Sequence, residues 1–339
     1  MRNVIYDKHG QFLRRWGESN PSRAMFALPT LADLRPVNPV TQNLSIADRN
    51  EAFVWDRLAP VVEVSEKSGT VPIYSRAYWA RRQQGLERAP DGPYQEIGYG
   101  VDTTTYDCIE YGAEIPLGDV TRAGSQFPDD QEVVQSLYVV NTLQIELEKL
   151  VAAVMFVTGA WTSESTLAGV TQWSDYDASD PIAAAKTAVR TIRLATGVKP
   201  NLLFIGSQAW DSLKDHPLVT DRYKYTTPGV ITPQLVAPLL DIEEIVVGET
   251  PEETGAEGAA SSTADIWTDN ALFAVMNKPG LMVPAGGFTF MWNEKGNIPW
   301  AVDTYRNEGR RSLMTRAFTH AVPKVVSKIH GYLYLDCVA

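Results

Sequence analysis

The stretch from residue 196 to 225 constrains the fold most, because short elements with clear boundaries follow one another there. A helix closes at Gly197, and the apolar run Leu202–Ile205 then has the length and composition of a buried strand. Gly206 and Ser207 lead into a short helix, Ser207–Lys214, which we expect to stop at His216-Pro217. This order of helix, strand and helix predicts a sheet covered by helices.

Two longer helices have clear signals at their ends. Asp180 and Pro181 are typical of a helix start and Gly197 of the position after a helix, which predicts a helix over Pro181–Thr196. A second helix is expected over Asp129–Phe156, with Asp129 as N-cap, and it would be roughly 40 Å long at about 1.5 Å per residue. Its apolar residues recur at helical spacing, at Val133, Leu137, Val140, Leu143, Leu147, Leu150 and Val154.

Shorter apolar and alternating runs predict the remaining elements. We expect helices over Ser45–Leu58 and Thr232–Leu239, and strands over Val61–Val64, Glu244–Val247, Ile266–Trp267, Ala271–Met276, Phe288–Trp292, Arg311–Val322 and Val325–Leu335. Residues Glu249–Ser262 are polar and small, and we expect a loop there. Helices packed on a sheet with long antiparallel strands give an α+β fold.

Residues 65–114 predict a long two-stranded excursion. Val71–Tyr74 forms the outgoing strand, and Val101–Tyr111, rich in Thr and Tyr, forms the returning one. The segment between them is basic at its centre, with Arg76, Arg81, Arg82 and Arg88 against a single acid, Glu87. Because an isolated hairpin is at best marginally stable, this one is expected to lean on another surface.

The first 45 residues predict an extended arm. They contain four prolines and little periodicity, yet they carry large apolar side chains such as Phe12, Trp16 and Phe26. Residues 1–50 hold seven basic and four acidic groups, a net charge of +3, whereas the whole chain carries −11, which leaves −14 for the remainder. A basic arm beside an acidic body predicts that the arm lies on acidic surface, its own or a neighbour's.

No pattern of catalytic, cofactor-binding or metal-binding residues is present. The four histidines, His9, His216, His320 and His330, form no zinc-helix pair, and there is no phosphate loop, dinucleotide loop or nucleophile elbow. Cys108 and Cys337 match no metal spacing and are expected to be buried thiols. The sequence contains neither a transmembrane run nor a signal peptide.

Arginine and aromatic residues at 76–82 leave two interpretations open. Arg76, Tyr78 and Trp79 could stack on single-stranded nucleic acid, but the same residue types are enriched at protein interfaces. The net negative charge favours an interface. The candidate contact residues between subunits are Arg76, Tyr78, Trp79, Arg81, Arg82, Arg88, Phe12, Trp16 and Phe26.

The order of elements resembles the major capsid proteins of tailed bacteriophages, which have the Hong Kong 97 fold. The resemblance covers nearly the whole chain as an order of elements and is most specific over 180–247 and 271–292. It implies an N-terminal arm at 1–45, an extended loop at 65–114, a peripheral domain from 46–64, 115–199 and 306–339 with a spine helix at 129–156, and an axial domain at 200–305. Head-to-tail contacts would close rings of five or six.

This resemblance implies a major capsid protein that assembles into pentamers and hexamers around phage double-stranded DNA, with portal and scaffold or decoration proteins as partners. We expect no enzymatic activity, no cofactor and no membrane, assembly in the host cytoplasm and a final place in the virion. Because Met1 leads almost directly into the arm, no cleaved scaffolding segment is expected. Residues 76–100 contain no lysine, so a lysine-asparagine cross-link there is not expected. The alternatives are an encapsulin-type cargo shell, a single-stranded nucleic-acid-binding protein acting through 76–88, and an acidic enzyme.

Overall fold

The computed structural model describes the chain from residue 53 to 339, together with backbone strands at 4–6 and 12–15. Outside this description, after residue 53, lie 75–80, 85, 89, 91, 93, 125–127, 225–229, 256–261, 281 and 295–299. The described helices are α1 Trp55–Leu58, α2 Asp119–Gly124, α3 Pro128–Met155, α4 Pro181–Thr196, α5 Ser207–Asp215, α6 Pro217–Tyr223 and α7 Pro233–Leu239.

The described strands pair in two large sheets and three two-stranded ones. They are β1 Val4–Tyr6, β2 Phe12–Arg15, β3 Val61–Val64, β4 Ser68–Ile73, β5 Asp102–Asp107, β6 Ile109–Gly118, β7 Ser163–Thr166, β8 Leu202–Gly206, β9 Glu244–Gly248, β10 Pro251–Glu253, β11 Thr263–Asp265, β12 Ala271–Ala274, β13 Gly287–Trp292, β14 Trp300–Asn307, β15 Ser312–Val325 and β16 Gly331–Leu335. Helices on mixed sheets confirm the α+β class.

The first sheet is built around the long strand β15. It pairs antiparallel with β6 on one side and with β14 and then β13 on the other, and β3 adds to β13 in parallel. The first half of α3 packs on this sheet through Val139, Val140 and Leu143, which contact Val302 and Ala317. The inner face of the sheet is therefore buried under the longest helix.

The second sheet has the strand order β7-β16-β12-β8-β9. One face packs against α4, α5 and α7, with Phe273 and Ile205 in the core. The opposite face packs against the second half of α3, where Leu147, Val151 and Met155 contact Phe204 and Leu272. Because α3 contributes to the cores of both sheets, it joins the two halves of the molecule.

Local signals located several helices and strands to within a residue or two. Helix α4 has the predicted bounds: Asp180 caps it by accepting a 2.9 Å hydrogen bond from the Ala183 amide, and Gly197 follows with a φ of 85°. Helix α3 begins at Pro128, so Asp129 lies in its first turn and is not the N-cap. The strand at Val61–Val64 was also located correctly.

Other predictions were wrong in detail. Ile266–Trp267 is a bend, because the Trp267 side chain turns into the core, and β10 interrupts the loop expected at Glu249–Ser262 by pairing with β11. The run Val325–Leu335 is broken by a 3-10 turn at Lys328–His330. Of the helix expected at Ser45–Leu58, the described part is helical only over Trp55–Leu58, since residues 53 and 54 have another conformation.

Candidate subunit-contact surfaces

The predicted excursion is a hairpin whose base rests on the first sheet. β4 and β5 pair antiparallel, from Ser68 opposite Asp107 to Ile73 opposite Asp102. The Cys108 amide donates a 2.9 Å hydrogen bond to the Lys67 carbonyl oxygen, whereas the next residue, Ile109, pairs with Ala321 of β15. The chain therefore changes its pairing partner at a single residue, where the hairpin leaves the sheet.

An aromatic contact fixes the base of the hairpin against the sheet. The Tyr106 ring stacks on Phe290 of β13, with ring centroids 4.8 Å apart and an interplanar angle of 8°. The same ring covers Gly69, where an added Cβ would lie 2.7 Å from the Tyr106 hydroxyl oxygen. The Lys324 ammonium group of β15 also donates a hydrogen bond to the Thr105 carbonyl oxygen. A small residue at 69 and an aromatic one at 106 are both needed for this packing.

The hairpin tip carries three of the predicted contact residues within the described chain. Arg81 and Arg82 are exposed. Arg88 is also exposed, but its Nη1 donates a 3.0 Å hydrogen bond to the Gly92 carbonyl oxygen, and its guanidinium lies 4.3 Å from the centroid of the Tyr94 ring. Arg76, Tyr78, Trp79, Trp16 and Phe26 lie outside the described residues, and Phe12 is described only as the first backbone position of β2.

Sequence reasoning missed the apolar side chains of the same hairpin. Leu86, Tyr94, Ile97 and Tyr99 have 61%, 81%, 64% and 69% of their surface exposed. Their signal was present in the sequence, since they are large apolar residues among Gly, Pro and charged residues in a segment expected to project. Several large apolar side chains exposed on one segment indicate a contact surface.

Glu148 is a buried carboxylate that the sequence analysis also missed. It is fully buried in α3 and has four hydrogen-bond donors around it. Oε1 accepts from the Trp267 indole N–H at 2.6 Å, the Thr250 hydroxyl at 3.0 Å and the Val54 amide at 3.2 Å, while Oε2 accepts from the Trp55 amide at 3.1 Å. One side chain therefore joins the segment that follows the arm, helix α3 and the region around β10.

Burial raises the pKa of Glu148, and the four donated hydrogen bonds oppose that rise. A signal for this site existed in the sequence, because Glu148 is next to Leu147 and three residues before Val151, on the buried face of α3. Its partners were unpredictable, since they lie far away along the chain. The arrangement joins these segments through the hydrogen bonds of one carboxylate.

Ser179 and His216 form a buried pair that resembles a catalytic dyad, but the hydrogen bond between them runs in the direction opposite to the one catalysis requires. His216 Nδ1 accepts a 3.2 Å hydrogen bond from the Leu218 amide, so Nε2 carries the proton and donates to Ser179 Oγ, 3.1 Å away. The Ser179 hydroxyl in turn donates to the Asp175 carbonyl oxygen at 2.7 Å. A general base must accept the serine proton, which this tautomer cannot do. The pair instead supports the start of α6, so Pro217 begins a helix after α5 ends.

Both cysteines are buried in the protein. Cys108 and Cys337 are free and buried, as expected, and burial raises the pKa of both thiols. Within the described residues, no cluster of three or more His, Cys, Asp or Glu could hold a metal ion. No helix in that part of the chain is both long and apolar enough to cross a membrane.

Comparison with known proteins identifies relatives of this chain. No protein-family model matches it. The major capsid protein of Burkholderia phage BcepMu is 28% identical over 312 residues, which cover 89% of this chain and 97% of that protein.

Solved structures show the same architecture. The crystal structure of a phage-related protein from Bordetella bronchiseptica RB50 matches with a TM-score of 0.71 and 22% identity, over 89% of this chain and 98% of the other. The capsid structure of cyanophage P-SCSP1u matches with a TM-score of 0.56 and 13% identity, over 82% and 86%. The chain therefore has the Hong Kong 97 capsid fold and is a homologue of a phage major capsid protein, as the order of its elements indicated.

Proposed function

We propose that this chain is a major capsid protein that self-assembles into pentamers and hexamers of an icosahedral phage head. The end-to-end similarity to the BcepMu major capsid protein carries this conclusion, because it spans 97% of that protein. The projecting hairpin supports it, since its exposed apolar and basic side chains are suited to a second subunit. The test is electron microscopy of the protein expressed alone and together with the neighbouring phage structural genes: closed shells are expected in at least one case, and a persistent monomer in both would contradict the proposal.

The proposed parts of the subunit follow the family pattern. We assign 1–45 to the arm, 65–114 to the extended loop, α3 to the spine helix, the first sheet to the peripheral domain and the region from residue 200 to the axial domain. The two sheets support a division into two parts. However, β7, α4 and β16, which were expected in the peripheral domain, belong to the second sheet and its helices, so we place them in the axial part. Since β13 and β14 pair with β15, we place the end of the axial part before β13.

We propose a structural role without enzymatic activity, which is supported by the capsid homologue and by the hydrogen-bond direction in the Ser179–His216 pair. We further propose that the subunits assemble in the host cytoplasm, enter the virion, and contact portal and scaffold or decoration proteins. Shells from co-expression with and without the neighbouring phage structural genes would show whether such partners are required.

The acidic composition supports enclosure of double-stranded DNA without tight binding. Free subunits are expected to bind duplex DNA only weakly at physiological salt, as measured by fluorescence anisotropy across a salt series. Sub-micromolar binding with a steep salt dependence would instead support nucleic-acid recognition. DNA protected from nuclease inside purified particles would distinguish a virion shell from a cargo compartment.

A further inference from the structure

Helix α4 carries a basic face on an acidic protein. Its 16 residues include the cations Lys186, Arg190 and Arg193 and no aspartate or glutamate, whereas the whole chain has a net charge of −11. At about 100° per residue, the three cations lie within an arc of roughly 60° around the helix axis. All three are exposed, while the other side of α4 packs in the core through Ala185 and Ile192.

The cations of α4 have no ion-pair partner among the described residues. Exposed cations elsewhere in that part of the chain do have one: Lys149 pairs with Glu252 at 2.7 Å, and Lys199, just after α4, pairs with Asp241 at 2.6 Å. The helix dipole favours a cation in the last turn, where Arg193 lies. It gives no reason for the other two cations, so the basic face needs another explanation.

The spacing of the cations suits a phosphate backbone. Lys186 and Arg193 are seven residues apart in the sequence, so the basic face extends along about 10 Å of the helix. Duplex DNA carries about one negative charge per 1.7 Å of its axis, so this length presents roughly six phosphates. Two of the three cations are arginine, whose planar guanidinium can donate two parallel hydrogen bonds to a phosphate. Ala183 and Thr187 beside them are exposed and small, which lets a broad surface such as a duplex approach.

We propose that the basic face of α4 points into the shell and contacts the phosphate backbone of the enclosed double-stranded DNA. This inference rests on the proposed function and names the surface that meets the DNA. Three cations per subunit bind a duplex weakly, because physiological salt screens and competes with each contact. The DNA can therefore move during entry and exit, and the contacts add up only over the many subunits of a shell.

The salt dependence of DNA binding by free subunits tests this contact. Three phosphate contacts predict a slope of about −2.7 for log K against log salt, so affinity should rise roughly 75-fold from about 150 to about 30 mM salt. The variant with Lys186→Gln, Arg190→Gln and Arg193→Gln should bind a random duplex of about 30 base pairs at least tenfold more weakly at the lower salt concentration. Its slope should be smaller in magnitude by about 2.7, as measured by fluorescence anisotropy.

A matched control removes the same charge elsewhere. Lys278→Gln with Arg310→Gln and Arg311→Gln neutralises three exposed cations outside α4, and this variant should keep the affinity and slope of the unchanged protein. An equal loss in the control would show that only net charge matters. An unchanged slope in the α4 variant, with its folding verified by circular dichroism, would show that α4 contacts no phosphates. Either result would overturn the proposal.

A photo-crosslinking residue at position 187 tests the contact inside particles. Thr187 is exposed between Lys186 and Arg190. Illumination of particles that hold nuclease-protected DNA should attach nucleotides to the peptide that contains this position, as detected by mass spectrometry. Cross-links to protein alone would show that an acidic partner or another subunit covers this face, and the proposal would then be wrong. Failure of the proposed function is a separate observation, because the unchanged protein then forms no particles.

Discussion

Glu148 shows how a carboxylate can be kept inside this protein by neutral hydrogen-bond donors. Its two oxygens accept from two backbone amides, a hydroxyl and an indole. Buried polar groups are tolerated when their hydrogen bonds are satisfied, whereas each unsatisfied buried donor costs about 1–3 kcal/mol. The stability of this site therefore depends on the acceptor geometry of one residue.

We expect Glu148→Ala to lower the free energy of unfolding of the subunit by at least about 2 kcal/mol, because it leaves buried donors unsatisfied. Glu148→Gln should have a smaller effect, since it retains one carbonyl oxygen. Urea unfolding followed by circular dichroism measures both. Glu146→Gln is the matched control, because Glu146 is exposed on the same helix. Equal stability of the alanine variant and the unchanged protein would contradict this role.

His216 makes stability depend on pH. Burial lowers its pKa, although the Asp180 carboxylate opposes the shift. The unfolded chain takes up a proton below about pH 6.5 that the folded state excludes, so the free energy of unfolding falls as the pH drops below that value. The loss is at most about 1.4 kcal/mol per pH unit for one group.

His216→Asn keeps an acceptor for the Leu218 amide and removes the titration, so we expect urea unfolding to weaken less between pH 7 and 5.5 in this variant. Burial lowers the pKa of His330 as well. We expect this residue to account for part of the stability that the His216→Asn variant still loses as the pH falls. An identical pH dependence in the variant and the unchanged protein would rule out a contribution from His216.

At the scale of elements, the hairpin depends on its contact with the first sheet. Tyr106→Ala removes the stack on Phe290, and aromatic pairs contribute about 0.5–1.5 kcal/mol beyond burial. We expect amide hydrogen exchange in β4 and β5 to become about tenfold faster, the equivalent of about 1.4 kcal/mol. Tyr106→Phe should behave like the unchanged protein, since the hydroxyl makes only a 3.4 Å contact with the Glu66 carbonyl oxygen. Unchanged exchange in Tyr106→Ala would show that the backbone pairing alone holds the hairpin.

Elements with local boundaries were predictable from sequence, and those that depend on distant partners were not. Helix α4 carries its cap and its terminating glycine within its own residues. β14 was missed because its residues alternate poorly, and it is a strand through its pairing with β15. There Asp303 accepts hydrogen bonds from the Arg316 guanidinium at 2.5 and 2.9 Å.

The same distinction applies to the candidate surfaces. The basic hairpin was visible in the sequence, whereas the partners of Glu148 come from residues 54, 55, 250 and 267 that only the fold brings together.

At the scale of the whole molecule, the arm is expected to act in assembly and not in folding. Deletion of residues 1–40 should leave a folded body, because the described residues of both large cores, from Phe53 to Cys337, pack against one another. Closed shells should be lost, since the apolar and basic arm would no longer reach a neighbour. Circular dichroism and sedimentation of the truncated protein measure the two properties separately. Normal particles from the truncated protein would show that the arm is dispensable.

The hydrogen bonds of Val54 and Trp55 to Glu148 also set a boundary for protein engineering. A variant whose N-terminal truncation or fusion point lies before residue 53 keeps both amides. A truncation that removes Val54 and Trp55 takes away two of the four donors to a buried carboxylate. Tags, cargo fusions and protease sites therefore belong upstream of this point. We therefore expect a shortened subunit to stay stable only if it keeps Val54 and Trp55.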